Sequence, residues 1–247
     1  MSDTISQRRI NILGVAVDDV TEDEAIARIA GYIAAGGPHH VVTVNPEFVM
    51  EARHHDAFRA TLAAADLATP DGFGLLLVAR RRGTPFRGRV TGVELVGRLA
   101  AEGAKRGWSL FLLGAAPGVA ERAAVVLQQS YPGLRMAGCY AGSPRVDDEQ
   151  HIRELVAAAW PDVLLVAYGH PAQDLWIARN QPYIRAPVAI GVGGVFDYLA
   201  GAVPRAPRWM RWLGLEWLYR LIRQPRRWRR ILTAVPLFLW AASRERR

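Results

Sequence analysis

The sequence predicts an α/β domain, a mostly parallel sheet with flanking helices, followed by a helical C-terminal appendage rich in arginine and tryptophan. Three observations predict it. Short apolar runs alternate with longer helical patterns as far as about residue 195, as in parallel strands joined by crossover helices. Polar, glycine-containing segments follow several of those runs. Around a Pro/Arg cluster at 204–207 the composition changes abruptly, which divides the chain into a core of residues 1–204 and an appendage of residues 205–247.

The apolar runs place strands at 10–17, 40–44, 67–69, 109–113, 134–140, 163–167 and 188–191. A helix over 21–35 opens with Thr21 and Glu24, the spacing of a capping box, and keeps apolar residues at helical intervals. Further helices are expected over 46–65, 72–81, 92–106, 117–129, 147–159 and 171–180. Ligands of an open parallel sheet gather at the carboxyl ends of its strands. Five polar segments fall there: Thr43-Val44-Asn45-Pro46-Glu47, Thr69-Pro70-Asp71-Gly72, Gly114 to Gly118, Gly169-His170-Pro171-Ala172-Gln173-Asp174 and Gly191-Val192-Gly193-Gly194-Val195-Phe196-Asp197. Their convergence on one edge is the expected active site.

With 247 residues, 51% of them hydrophobic, the chain can bury one sizeable core and carry an appendage. The net charge of +8 is concentrated at the C-terminus, and Lys105 is the only lysine. Arginine in place of lysine favours bidentate phosphate contact, although a coding bias toward arginine would give the same composition. Residues 205–247 hold twelve arginines and five tryptophans, a mixture suited to anionic lipid headgroups, a lipid diphosphate or nucleic acid. Cys139 is the single cysteine, which excludes an internal disulfide and fits a reducing cytoplasm. Residues 1–9 are polar and lack the apolar region of a signal peptide. No stretch reaches the roughly 18 to 20 apolar residues of a membrane span. The best candidate, 231–242, is short and contains Pro236. It reads either as an interfacial helix on an anionic membrane or as a helix capping the core or a sister subunit.

Asp71, between Pro70 and Gly72, is either a general base projected into the crevice or the cap of the helix that follows. Thr43 and Asn45 lie on one side of their strand end and can bond sugar hydroxyls or phosphate oxygens, though Asn-Pro pairs also start helices. The glycines of 114–118 and of 191–194, Gly193 and Gly194 among them, can present amides to a phosphate or can simply allow tight strand-to-helix packing. Neither segment has the order of a dinucleotide fingerprint or the lysine of a P-loop. Gln173 and Asp174 open a helix, where the amide can reach a hydroxyl or a uracil edge, or cap the helix. The six histidines form no metal-binding spacing, and Asp18-Asp19 and Asp147-Asp148 are not the D-x-D of many sugar-nucleotide enzymes. The expectation is chemistry without metal or cofactor, in which arginines neutralise a leaving diphosphate.

Taken together, from about residue 10 to residue 230, these segments resemble the WecG/TagA/CpsF family, glycosyltransferase family 26. The resemblance rests on Thr43 to Glu47, Pro70-Asp71-Gly72-Phe73-Gly74, Arg89-Val90-Thr91-Gly92-Val93-Glu94-Leu95, Pro171 to Asp174, Gly191 to Asp197, Arg205-Ala206-Pro207, and Gly214-Leu215-Glu216-Trp217-Leu218-Tyr219-Arg220-Leu221 with Pro225. The ordered series with its Glu-Trp-Leu-Tyr-Arg box is the specific signal. It implies a Rossmann-like fold of the kind called GT-E, whose appendage completes the active site and docks on the membrane.

The activity it implies is inverting, metal-independent transfer of a sugar from a UDP-sugar to a polyprenyl-diphosphate-linked saccharide at the inner face of the cytoplasmic membrane. N-acetylmannosamine, its uronic acid and glucose are the sugars that the family suggests. Position by position, it makes Asp71 the catalytic base and Thr43, Asn45 and Gln173 pocket residues. Asp197 is assigned to nucleotide binding, and Arg220, Arg227 and Arg230 approach the diphosphate. Two departures stand out. Ala172 and Asp174 replace the usual Lys and Glu around Gln173, and Gly142-Ser143-Pro144 replaces Gly-Tyr-Phe, which leaves donor contacts open. A homo-oligomer is compatible with the pattern. The alternative from another class is a nucleic-acid-binding protein using the basic tail; the apolar segment 231–242 has no purpose in that reading.

Overall fold

The computed structural model describes residues 8–207, 210, 218, 219, 222 and 236–245. The chain opens with an antiparallel hairpin, β1 (Arg9–Ile12) and β2 (Val15–Asp18), where the sequence predicts one strand. It reverses at Leu13-Gly14, both at positive φ (52° and 87°), as a two-residue hairpin turn requires. Asn11 Oδ1 accepts the Gly14 N–H at 2.9 Å. Helix α1 (Glu22–Ala35) begins with the expected capping box, Thr21 and Glu24 each accepting the other's backbone N–H.

After β3 (His39–Val44), the single helix expected over 46–65 is two, α2 (Pro46–Ala52) and α3 (Asp56–Ala64). The break comes at His54-His55 because His55 Nδ1 accepts the Phe58 N–H at 3.1 Å and so starts a new helix. There follow β4 (Leu67–Pro70), α4 (Phe73–Arg81), α5 (Gly92–Arg106), β5 (Ser109–Gly114), α6 (Val119–Ser130) and β6 (Arg135–Tyr140). Next come α7 (Val146–Ala159), β7 (Val163–Ala167), α8 (Ala172–Asn180), β8 (Val188–Gly191), α9 (Val195–Leu199) and, within the appendage, α10 (Phe238–Arg244).

Strands β3 to β8 form one parallel sheet in the order β4-β3-β8-β7-β5-β6. Side chains alternate across it with the period of two that strands impose. Leu110 and Leu112 face a layer with Ile29, Leu95 and Leu99, whereas Phe111 and Leu113 face Ile152 and Trp176 on the other side. A third apolar cluster joins the hairpin to α2, α3 and α4. Asp18 and Asp19 are buried locks of that region: Asp18 accepts the Ala68 N–H at 2.8 Å and pairs with Arg9 and Arg28, and Asp19 accepts the Arg87 N–H at 2.7 Å.

Helix α10 returns to this third cluster. Phe238 is fully buried there beside Phe48, Val49 and Leu75, while Leu237 and Trp240 are exposed. Arg82 ties the helix down through the Ala242 carbonyl at 3.3 Å and through Glu245. Among the described residues no helix is long and apolar enough to cross a membrane.

Candidate active site

The carboxyl ends of β3, β4, β7 and β8 open into one cleft of about 450 Å³, within the size range of small-molecule sites. Four of the five polar segments converge on it as expected; residues 114–118 do not line it. Gly114 has a packing role instead. At φ 106° its missing Cβ leaves room for the Ala167 backbone of the neighbouring strand.

Asp71 is held from three directions. Its own N–H donates to the Val44 carbonyl at 2.7 Å, and the end of β4 just before it is fixed by the Val90 N–H, from the segment leading into α5, donating to the Pro70 carbonyl at 2.9 Å. Gly92, the first residue of α5, donates its N–H to Asp71 Oδ2 at 3.3 Å. The carboxylate is thus not the cap of the helix that follows it, since α4 has Gly72 in that position and no side-chain cap. It sits at the positive end of the α5 dipole, which attracts it and sets its direction. Gly72, at φ 108° against Pro46, allows the chain to turn so closely after Asp71.

Thr43, Asn45 and Gln173 line the cleft and brace it at once. Thr43 Oγ1 donates to the Gly191 carbonyl at 3.1 Å, tying β3 to β8. Asn45 Oδ1 caps α2 by accepting the Phe48 N–H at 3.1 Å. The buried Gln173 reaches across from α8, its Oε1 accepting the Gly193 N–H at 2.9 Å, and so shapes the Gly193-Gly194 turn. Beneath it Asp174 is wholly buried, Oδ1 lying 3.4 Å from His40 Nε2. Gly191 leaves room there for α8, because an added Cβ would press on Asp174 Oδ1 and Gln173 Nε2 and force those side chains to shift. Asp197 lines the cleft from α9, and its carbonyl accepts the Val203 N–H at 3.1 Å.

That last bond steers residues 203–205 along the rim and brings in a residue that sequence reasoning placed in a motif but gave no role. Arg205 is the only arginine among the described lining residues. Its Nη2 lies 3.5 Å from Glu94 Oε1, while Glu94 Oε2 accepts from Thr91 Oγ1 at 2.8 Å and Arg89 stands 4.0 Å away. Arg205 Nε is buried with no hydrogen-bond partner among the described residues. The signal in the sequence was its place as the first arginine after the composition change, held between Pro204 and Pro207. Arg220, Arg227 and Arg230 lie outside the described residues.

Glu47 and His170 were present in the motifs but were given no part. His170 Nε2 lies 3.5 Å from Glu47 Oε2, and both line the cleft. Tyr168 lines it too, and burial pushes its phenol well above the ordinary range, so it stays neutral. Cys139 is on β6 at the sheet edge and outside the cleft lining, its thiol pushed up to about 11 by burial. Among the described residues no group of three or more His, Cys, Asp or Glu is placed to hold a metal ion.

The cleft therefore combines three carboxylates, a histidine, an arginine and close-approaching glycine backbone, the equipment for binding a polar anionic ligand and moving a proton. Similarity to known proteins specifies it further. The chain is 34% identical over 207 residues to an N-acetylglucosaminyldiphosphoundecaprenol N-acetyl-beta-D-mannosaminyltransferase of Bacillus spizizenii, covering 84% of this chain and 79% of that one. An enzyme of the same name from Staphylococcus aureus strain MW2 is 31% identical over 243 residues, covering 97% and 94%. Residues 10–247 match the sequence model of the glycosyl transferase WecG/TagA/CpsF family, nearly the whole chain with its cleft and its appendage, and the protein belongs to that family.

Proposed function

We propose that this glycosyltransferase moves a sugar, with inversion, from a UDP-sugar to a polyprenyl-diphosphate-linked saccharide in cell-surface polysaccharide synthesis. The observation that carries the reading is the Asp71 carboxylate, fixed by the α5 N-terminus in a cleft that also holds Arg205. The names of the relatives support an N-acetylglucosaminyl-diphospho-lipid acceptor and N-acetylmannosamine as the first sugar to try. Asp71 takes the proton of the acceptor hydroxyl as its oxygen attacks the anomeric carbon. The bond to the diphosphate breaks on the opposite face, and UDP departs with the electron pair. Arg205, with Arg220, Arg227 and Arg230 of the appendage, neutralises the leaving charge in place of a metal. Thr43, Asn45 and Asp197 bind sugar or nucleotide, and Gln173 holds the Gly193-Gly194 turn in position. The enzyme works as a peripheral protein on the inner face of the cytoplasmic membrane.

Asp71→Asn is the direct test. The variant is expected to fold, to bind UDP as the wild type does and to lose about 10²- to 10⁴-fold in transfer rate. Near wild-type turnover would remove Asp71 from the mechanism. A second measurement concerns metal: transfer should survive exhaustive chelation, and a loss in EDTA reversed by Mg²⁺ or Mn²⁺ would show that the arginines do not suffice.

A further inference from the structure

Resting on that reading, we propose that His170 and Glu47 form a paired recognition element for the hydroxyl groups of a pyranose ring. Glu47 stands in the first turn of α2, after β3, and His170 lies two residues before α8, after β7. These strands are not neighbours; β8 runs between them. The pair therefore meets over the end of β8, above the Gly191 to Gly194 turn, with Oε2 and Nε2 3.5 Å apart.

Its parts are fixed in place. The His170 ring packs at 4.9 Å on Phe48, and its side chain is only 10% exposed, against 24% for Glu47. The ring is braced by Phe48 on one side and by Glu47 at its nitrogen, so the pair presents a set direction to the cleft. Asp71, at the end of β4, is on the far side of β3 from β7. Two strand spacings separate β4 from β8, about 10 Å, so a ligand that meets both Asp71 and the pair is extended.

The chemistry of the pair selects what lies against it. A carboxylate beside an imidazole offers an acceptor and a donor a few ångströms apart, the complement of sugar hydroxyls, each of which donates and accepts. A diphosphate is disfavoured against Glu47 by like charge and belongs at the Arg205 side. The ring recognised is either the donor's or the acceptor's. Both present the same hydroxyl chemistry.

The experiment compares Glu47→Gln, His170→Phe, His170→Gln and the Glu47→Gln/His170→Phe double variant with the wild type. UDP-N-acetylmannosamine and a short-chain N-acetylglucosaminyl-diphospho-lipid are the substrates, and UDP binding is measured by calorimetry. Glu47→Gln and His170→Phe should each raise one KM by about 10- to 100-fold, as for loss of a hydrogen bond to a charged group. They should leave kcat within a few-fold, because the interaction is made equally before and during reaction. His170→Gln, which keeps a donor, should recover part of the loss. The double variant should be little worse than either single one, because the two side chains act together. A rise confined to the nucleotide-sugar KM assigns the pair to the donor, and one confined to the lipid KM assigns it to the acceptor. Unchanged KM for both substrates overturns the proposal, as does an equal loss of UDP affinity, which would mark a structural effect. If the wild type transfers no sugar from any UDP-sugar, the proposed function fails first; normal wild-type transfer with unaffected variants defeats this inference alone.

Discussion

Asp71, Asn45 and Gln173 each take part in a structural hydrogen bond and also line the cleft, which is why local pattern left their roles open. Asn45 does cap α2, and Gln173 does hold a turn, yet both line the cleft. Asp71 was ambiguous for the same reason, since a residue before Gly72 could cap α4; the structure gives its carboxylate to the N-terminus of α5, twenty-one residues along the chain. Arg205 is the residue whose position most needs testing. With Glu94 holding its guanidinium at the rim, it should contact a phosphate rather than a base or sugar. Arg205→Ala is expected to weaken UDP binding about 10- to 100-fold and leave uridine binding unchanged, by calorimetry. Equal loss for both ligands would place Arg205 elsewhere.

At the scale of elements, the sheet edge works because β3, β8 and α8 are locked together behind it. Gly191 is the point where they touch. Gly191→Ala inserts a methyl group against Asp174 and Gln173 and should cost about 1–3 kcal/mol of stability. Thermal melting checks this, and an unchanged midpoint would mean that α8 can retreat from β8 freely. The same variant should weaken donor binding, because the Gly193 turn hangs on Gln173. The hairpin and the split α2–α3 helix mark where periodicity misled. Leu13-Gly14 is not one of the strong turn pairs, and a histidine cap at His55 breaks a pattern that stays helical on both sides.

For the whole molecule, α10 is a described helix within residues 205–247 that packs on the rest of the chain. Of the segment 231–242, the described residues Phe238, Ala241 and Ala242 are buried on the core, as a capping helix would be, whereas Leu237 and Trp240 are exposed, with the Arg244 guanidinium 4.1 Å from the Trp240 ring. The faces separate by mutation. Phe238→Ala should cost about 3–5 kcal/mol of stability, read by denaturant melts. Trp240→Ser should stay within about 0.5 kcal/mol of wild type and lower sedimentation with anionic liposomes. Liposome binding unaffected by Trp240→Ser would remove this face from membrane docking. Truncation after Pro204 removes α10, so the remaining core is expected to melt earlier as well as lose transfer; wild-type turnover by that core would refute the catalytic part assigned to the appendage.

The sequence by itself determined the parallel α/β class, the alternation of its sheet strands with helices and the edge at which the cleft opens, because strand and helix periods and strand-end loops are local properties of the chain. Its ordered motifs also placed the chain in its family, and they named Asp71, Thr43, Asn45, Gln173 and Asp197, all of which line the cleft. Only the tertiary structure decided how those residues are used. The hydrogen bond from Gly92 to Asp71, the approach of Arg205 to Glu94 and the meeting of His170 with Glu47 across β8 join positions 21, 111 and 123 residues apart. No periodicity carries such information. It arises when burial of the apolar faces fixes the strand order, and the order then chooses which loop ends become neighbours.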